Sequence, residues 1–149
     1  MKKRDTVRTV DSIVSSIPTL LAPIPEIASA YLFGSFARGE AGPISDVDLA
    51  LLMQESSGEV SGRWIGDLIN RLEVVTAPHP VDLLLLERQG PIFCQRILKE
   101  GRLIFEADRQ RRIDFESDVI VRAMDFRPTW ESAARGRLDG MLRWLDNRQ

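Results

Sequence analysis

The sequence predicts an α/β fold, a layered core of strands and helices, from three observations. Val47 to Met53 and Val81 to Leu86 are apolar almost throughout, as strands buried on both faces are. Between them Val60, Trp64, Leu68, Leu72 and Val75 repeat at helical spacing. Strand-like and helix-like stretches alternate up to Phe105, which marks a layered core. The 149 residues suffice for one domain. Residues 1–106 are expected to form its α/β core and 107–149 a helical C-terminal extension.

The first element is helical: Val7, Val10, Val14 and Ile17 share a face, and Pro18, Pro23 and Pro25 are expected to break it up. Ala30 to Phe33 reads as a short buried strand that Gly34-Ser35 ends. The strand Val47 to Met53 and the helix Val60 to Val75 follow. Ala77-Pro78-His79-Pro80 is a tight connection into the strand Val81 to Leu86. Pro91 opens a short helix, in whose first turn proline is tolerated, and Gly101 closes it. Arg102 to Phe105 is a small fourth strand. Beyond Asp108 come two helical stripes, Ile113, Ile120 and Met124, then Trp130, Ala134, Leu138, Met141 and Leu145, with Pro128 expected to separate them.

Composition excludes several classes. Lys and Arg number 20 against 22 Asp and Glu, and 44% of residues are hydrophobic, which argues against a disordered chain. The same balance argues against direct nucleic-acid binding, which normally shows a basic excess. A single cysteine, Cys94, allows no internal disulfide and fits a reducing compartment. A single histidine, His79, removes multi-His zinc sites. Apolar runs fall far short of the ~20 residues that span a bilayer. Asp5, Thr6 and Arg8 follow the basic start where a signal peptide would place its apolar stretch. A cytoplasmic protein is the expectation.

The chemistry concentrates in Gly34-Ser35-Phe36-Ala37-Arg38-Gly39-Glu40 and Ser45-Asp46-Val47-Asp48-Leu49. Gly34 lets the backbone approach a ligand closely, and Ser35 suits the N-cap of the turn that follows. Free amides there, beside a hydroxyl, form an anion site suited to phosphate, and Arg38 one turn on adds charge-assisted contacts. Asp46 and Asp48, at i and i+2 on a strand, leave from one face. Carboxylates that close repel each other unless a cation sits between them, and with phosphate oxygens they describe a magnesium site. Asp82 opens the strand Val81 to Leu86. If the two strands are neighbours, three carboxylates converge beside the phosphate turn, an arrangement that holds two metal ions and supports in-line displacement at phosphorus. Each feature alone has an ordinary explanation: a common turn, a solvated strand end, a strand-edge charge, an exposed turn arginine. Their conjunction on consecutive strand ends favours a site.

Gly34-Ser35, ten residues, then Asp46-Val47-Asp48, with Asp82 on a later strand, resembles the signature of the DNA polymerase β-like nucleotidyltransferase superfamily. The short chain, the stretch Gly34 to Gly39, and the pattern from Phe115 through Asp125-Phe126-Arg127-Pro128 resemble its minimal branch, the MntA-type antitoxins. These accompany a HEPN-domain toxin, a ribonuclease of the HepT type. The resemblance runs from about Val7 to Pro128. It implies a nucleotidyltransferase fold, a small mixed sheet flanked by helices, with ATP as substrate and two Mg²⁺ ions. Asp46 and Asp48 would be the paired metal ligands. Asp82 would be the third carboxylate, binding one metal and helping to deprotonate the acceptor hydroxyl. Gly34 and Ser35 would hold the triphosphate. In that branch AMP passes from ATP to a tyrosine of the toxin and neutralises it, so a hetero-complex with the toxin is implied. Phe36 stands where many minimal members carry a basic residue.

Other residues read as ordinary. Ser35 has no nearby histidine and is a phosphate ligand, not a nucleophile. His79, between two prolines, is expected at the surface, and Cys94 in the interior. Trp130 and Trp144 suit a core or a partner contact, and Arg109, Arg111 and Arg112 a solvated helix face. Tyr31, the only tyrosine, is expected to be buried, so the acceptor is external. Two alternatives stand beside catalysis on a toxin: masking of the toxin by contact alone, and nucleotidyl transfer to a small molecule such as an aminoglycoside. Against the latter, the stretch after Phe105 is short for a large acceptor-binding domain.

Overall fold

The structure, a computed structural model, describes residues 2–146, and the side chains among them other than those of 2–10, 127–134 and 137–146. The elements are α1 (Lys2–Leu21), β1 (Ile27–Phe33), α2 (Gly34–Arg38), β2 (Val47–Met53), α3 (Gly62–Thr76), β3 (Val81–Leu85), α4 (Pro91–Glu100), β4 (Arg102–Glu106) and α5 (Arg109–Asp146). Short 3-10 turns at Glu55–Ser57 and Leu86–Arg88 follow β2 and β3. The four strands form one mixed sheet in the order β3-β2-β1-β4. β1 runs antiparallel to β2 and β4, and β2 runs parallel to β3, which requires the crossover that α3 supplies.

Strand alternation sorts the apolar side chains onto two faces. Val47, Leu49 and Leu51 of β2 pack with Ile13, Ile17 and Leu21 of α1 and with Leu68 and Leu72 of α3. Ala50 and Leu52 face the other way, toward Cys94 and Ile97 of α4 and Phe115 and Val119 of α5. Cys94 is buried, as its apolar surroundings predict, and burial pushes its thiol up. Among the described residues, no helix is long and apolar enough to cross a membrane.

Two prolines do not act as expected. Pro18 lies inside α1, and the Ala22 amide donates to the Pro18 carbonyl at 2.9 Å. Proline withdraws a single amide from the helix, and the buried row Ile13, Ile17 and Leu21 offsets that loss. Pro128 likewise lies within α5, which runs unbroken from Arg109 to Asp146. The stripe beginning at Trp130, together with Trp144, lies outside the described side chains, as do Val7 and Val10. β1 starts earlier than its aromatic residues suggested, because Ile27, Ala28 and Ser29 are also fully buried.

Of the arginines at the start of α5, Arg109 is exposed as expected, whereas Arg111 and Arg112 are half-buried in ion pairs. Arg112 pairs with Glu106 of β4 and, at 3.0 Å, with Glu116 one turn on. Arg111 donates to the Met53 carbonyl and pairs with Glu55 and Glu87. Glu116 in turn accepts the Tyr31 hydroxyl at 2.5 Å, and burial with that carboxylate holds the phenol far above its usual range. Tyr31 is thus buried as predicted and anchors α5 to β1. Replacing Tyr31 by Phe is expected to cost about 1.5–3 kcal/mol of stability, the worth of a hydrogen bond to a charged group, read as a lower urea midpoint at unchanged slope.

Candidate active site

β1 ends in an abrupt change of direction. Phe33 is extended, and Gly34 adopts φ +68°, a left-handed conformation that a side chain disfavours. The five-residue α2 follows and ends at Gly39, φ +71°. Ser35 is therefore the second residue of α2, not its cap. The N-cap position is Phe33, and no side chain caps the first turn. Phe33 pairs with Asp48 across the β1–β2 ladder, so the turn rises beside that carboxylate. A Cβ built on Gly34 would collide with Oδ2 of Asp48. The backbone conformation favours glycine at this position, and an added side chain would push the Asp48 carboxylate from its place.

β2 begins at Val47, so Asp46 precedes the strand, and simple alternation does not orient it. Asp48 lies on the face of Ala50 and Leu52, toward α4 and α5. In the parallel β2–β3 ladder Asp48 is the partner of Asp82, which lies on the face of Leu84, the same side of the sheet. Both strands begin at this edge, which gathers the acidic residues at one end of the sheet. Asp48 carries the electrostatic consequence. Burial, then the charge of Asp82, then that of Asp46, raise its carboxyl above the usual range, and Arg38 partly opposes them.

Arg38 is close enough for its charge to reach Asp48, and its guanidinium pairs with Glu40 at 2.9 Å. A cavity of about 220 Å³ opens between Gly34 and Arg38 on one side and Phe93 and Arg96 of α4 on the other. A larger cleft of about 740 Å³, by Met53, Leu85 and Arg88, lies at the opposite end of β2 and includes none of the three aspartates. Among the described residues, no three His, Cys, Asp or Glu side chains form a ready-made cage for an ion. The donor set nevertheless suits a divalent cation. Oxygen ligands of like charge, one of them partly buried and destabilised by the others, gain most from a hard cation between them.

His79 is the residue that the sequence reading misplaced. It is only 8% exposed, its Nδ1 donates to the Ser45 carbonyl at 2.8 Å, and its ring meets Phe36 edge-on with centroids 5.0 Å apart. No local signal marks this, because the contacts that bury His79 come from Ser45 and Phe36, distant in the chain. Phe36, in place of a basic residue, is a core side chain, 1% exposed.

The mixed sheet thus carries a glycine-serine turn at the end of one strand and aspartates at the start of the next two. Residues 16–110 match the family described as Polymerase beta, Nucleotidyltransferase, and the chain belongs to that family. One relative is the Protein adenylyltransferase MntA of Shewanella oneidensis (strain MR-1), 29% identical over 82 residues, 55% of this chain and 56% of the relative. The matched stretch thus spans little more than half the relative's length. Among solved structures, a chain from a toxin–antitoxin complex with AMP-PNP superposes with a TM-score of 0.70 at 21% identity, covering 84% of this chain and 98% of that one. A chain from the complex of tri-AMPylated Shewanella oneidensis HEPN toxin with MNT antitoxin gives 0.67 at 20% identity, covering 87% and 98%. At these identities the structural likeness is one of fold.

Proposed function

We propose that the chain is a Mg²⁺-dependent adenylyltransferase that moves AMP from ATP to a hydroxyl, a tyrosine, of a partner HEPN-domain toxin, and so acts as its antitoxin in the cytoplasm. The observation that carries this reading is the parallel register that sets Asp82 beside Asp48 while Gly34 packs against the Asp48 carboxylate. The adenylyltransferase relative and the toxin–antitoxin folds support the choice of donor and partner.

On this reading the reaction runs across the strands. β3, β2 and β1 lie side by side, so Asp82, then Asp46 and Asp48, then the Gly34-Ser35 turn form a row across one end of the sheet. The acceptor hydroxyl belongs at the Asp82 end, the α-phosphate at Asp46 and Asp48, and the β- and γ-phosphates at Gly34, Ser35 and Arg38. Amides of the uncapped first turn of α2 donate to phosphate oxygens. The acceptor oxygen bonds to the α-phosphorus as the bond from that phosphorus to the bridging oxygen breaks. The acceptor proton passes to Asp82, and pyrophosphate leaves on the α2 side. Asp46, Asp48 and Asp82 would hold magnesium, which would supply positive charge to offset the carboxylates and the phosphates.

Tyr31 is 3% exposed and bonded to Glu116, so the modified tyrosine lies on another chain. α5 presents Ile113, Ile120, Val121 and Met124 to solvent, an apolar face suited to a partner protein. Co-expression with the HEPN-domain partner tests the reading. The Asp46→Asn/Asp48→Asn double variant is expected to lose neutralisation, and the partner to lose its mass increase in whole AMP units. Full neutralisation by that variant would instead establish masking by contact.

A further inference from the structure

We infer that His79 is a positioning residue, which holds the peptide unit leading into Asp46 and ties it to the phosphate turn. What is positioned rests on the function proposed above; the geometry stands on its own. Asp46 lies outside the β2 ladder, so the sheet does not orient it. The Ser45 carbonyl belongs to the peptide plane that ends at the Asp46 Cα, and fixing that oxygen fixes the plane. Nδ1 of His79 fixes it at 2.8 Å. A carbonyl only accepts, so Nδ1 carries the proton.

The imidazole is itself held. The His79 amide donates to the Thr76 carbonyl at 2.9 Å, and the His79 carbonyl accepts from Thr76 Oγ1 at 2.8 Å, which pins the residue to the end of α3. The next residue, Pro80, accepts the Val47 amide at 2.8 Å. The ring packs at 82° against Phe36, the neighbour of Ser35. One buried side chain therefore touches the segment before Asp46 and the turn that carries Ser35, in the loop that leads to Asp82. Its contacts are to the supports of the site, not to substrate, so its effect is on alignment.

Two variants separate the contacts. His79→Phe keeps a ring against Phe36 and loses the donor; His79→Asn keeps a donor at the Nδ1 position and loses the ring. In the full chain with its acceptor partner, His79→Phe is expected to lower kcat on the order of tenfold with little change in KM for ATP. Its Mn²⁺ affinity, titrated with AMP-PNP present, is expected to fall about fivefold, the worth of one hydrogen bond. His79→Asn is expected to recover most of both. Parental kcat and Mn²⁺ affinity in His79→Phe, or equal losses in both variants that track their melting temperatures, would overturn the inference. If His79→Phe does not fold, His79→Asn is compared with His79→Ala, and equal losses in those two overturn it. Asp48→Asn, run in parallel, keeps the two ideas apart. Parental transfer in that variant defeats the proposed metal site, whereas a dead Asp48→Asn beside a parental His79→Phe defeats only the role of His79.

Discussion

Asp48→Asn is expected to lower AMP transfer by about 10²–10³-fold, and the metal-free variant to melt at a higher temperature than the parent. Both outcomes follow from one cause. Asp48 is partly buried and faces the charges of Asp82 and Asp46, so its ionised form is disfavoured in the folded chain and its carboxyl titrates above the usual range. An acid raised in this way binds its proton more tightly folded than unfolded. Its ionisation therefore subtracts from stability, and the penalty grows as pH rises from the unfolded carboxyl value through the folded one. Acidification through that window relieves it. Asn keeps the size of the side chain, removes the charge and abolishes the penalty, and with it a ligand for the cation. Melting curves across pH check the account: the gap between Asp48→Asn and parent is largest near neutrality and closes as pH falls. Added magnesium with ATP is expected to stabilise the parent and not the variant. A variant less stable than the parent at neutral pH would refute the electrostatic account. One that transfers labelled AMP at the parental rate would refute the catalytic one.

Gly34→Ala is expected to be nearly as damaging to activity, on the order of 10²-fold, by displacing the Asp48 carboxylate without changing its chemistry. The added Cβ collides with Oδ2 of Asp48, and at φ +68° it also strains the backbone by about 1–2 kcal/mol. Gly39→Ala is the control. Its φ of +71° brings the same kind of strain, yet nothing lies within 4 Å of an added Cβ. Both variants should lose comparable stability in urea, and only Gly34→Ala should lose AMP transfer. Equal activity in the two would mean that the closeness of Gly34 to Asp48 has no bearing on the reaction.

Much of the fold was legible before any coordinates. Val47 to Met53 stands as a strand with those same ends, and α4 opens at Pro91 and stops before Gly101, because burial on both faces and proline or glycine punctuation are local signals. The prolines at 18 and 128 misled for a physical reason. A lost amide is a local cost, and whether packing along the rest of the helix offsets it is not a local property. His79, Arg111 and Arg112 were misjudged on the same ground: polarity suggests solvent until a carbonyl from a distant loop, or a glutamate from a neighbouring strand, is brought within bonding distance.

The candidate site divides along this line. Residue types and spacing along the chain name Gly34, Ser35, Asp46, Asp48 and Asp82, since a phosphate turn and paired acids are recognisable by composition and interval. That Asp82 stands opposite Asp48, that Gly34 is pressed against the Asp48 carboxylate, and that His79 holds the peptide before Asp46 depend on strands and loops far apart in the chain. Register is set by the burial of whole faces of the sheet, a sum over many side chains, and no interval between two aspartates contains it.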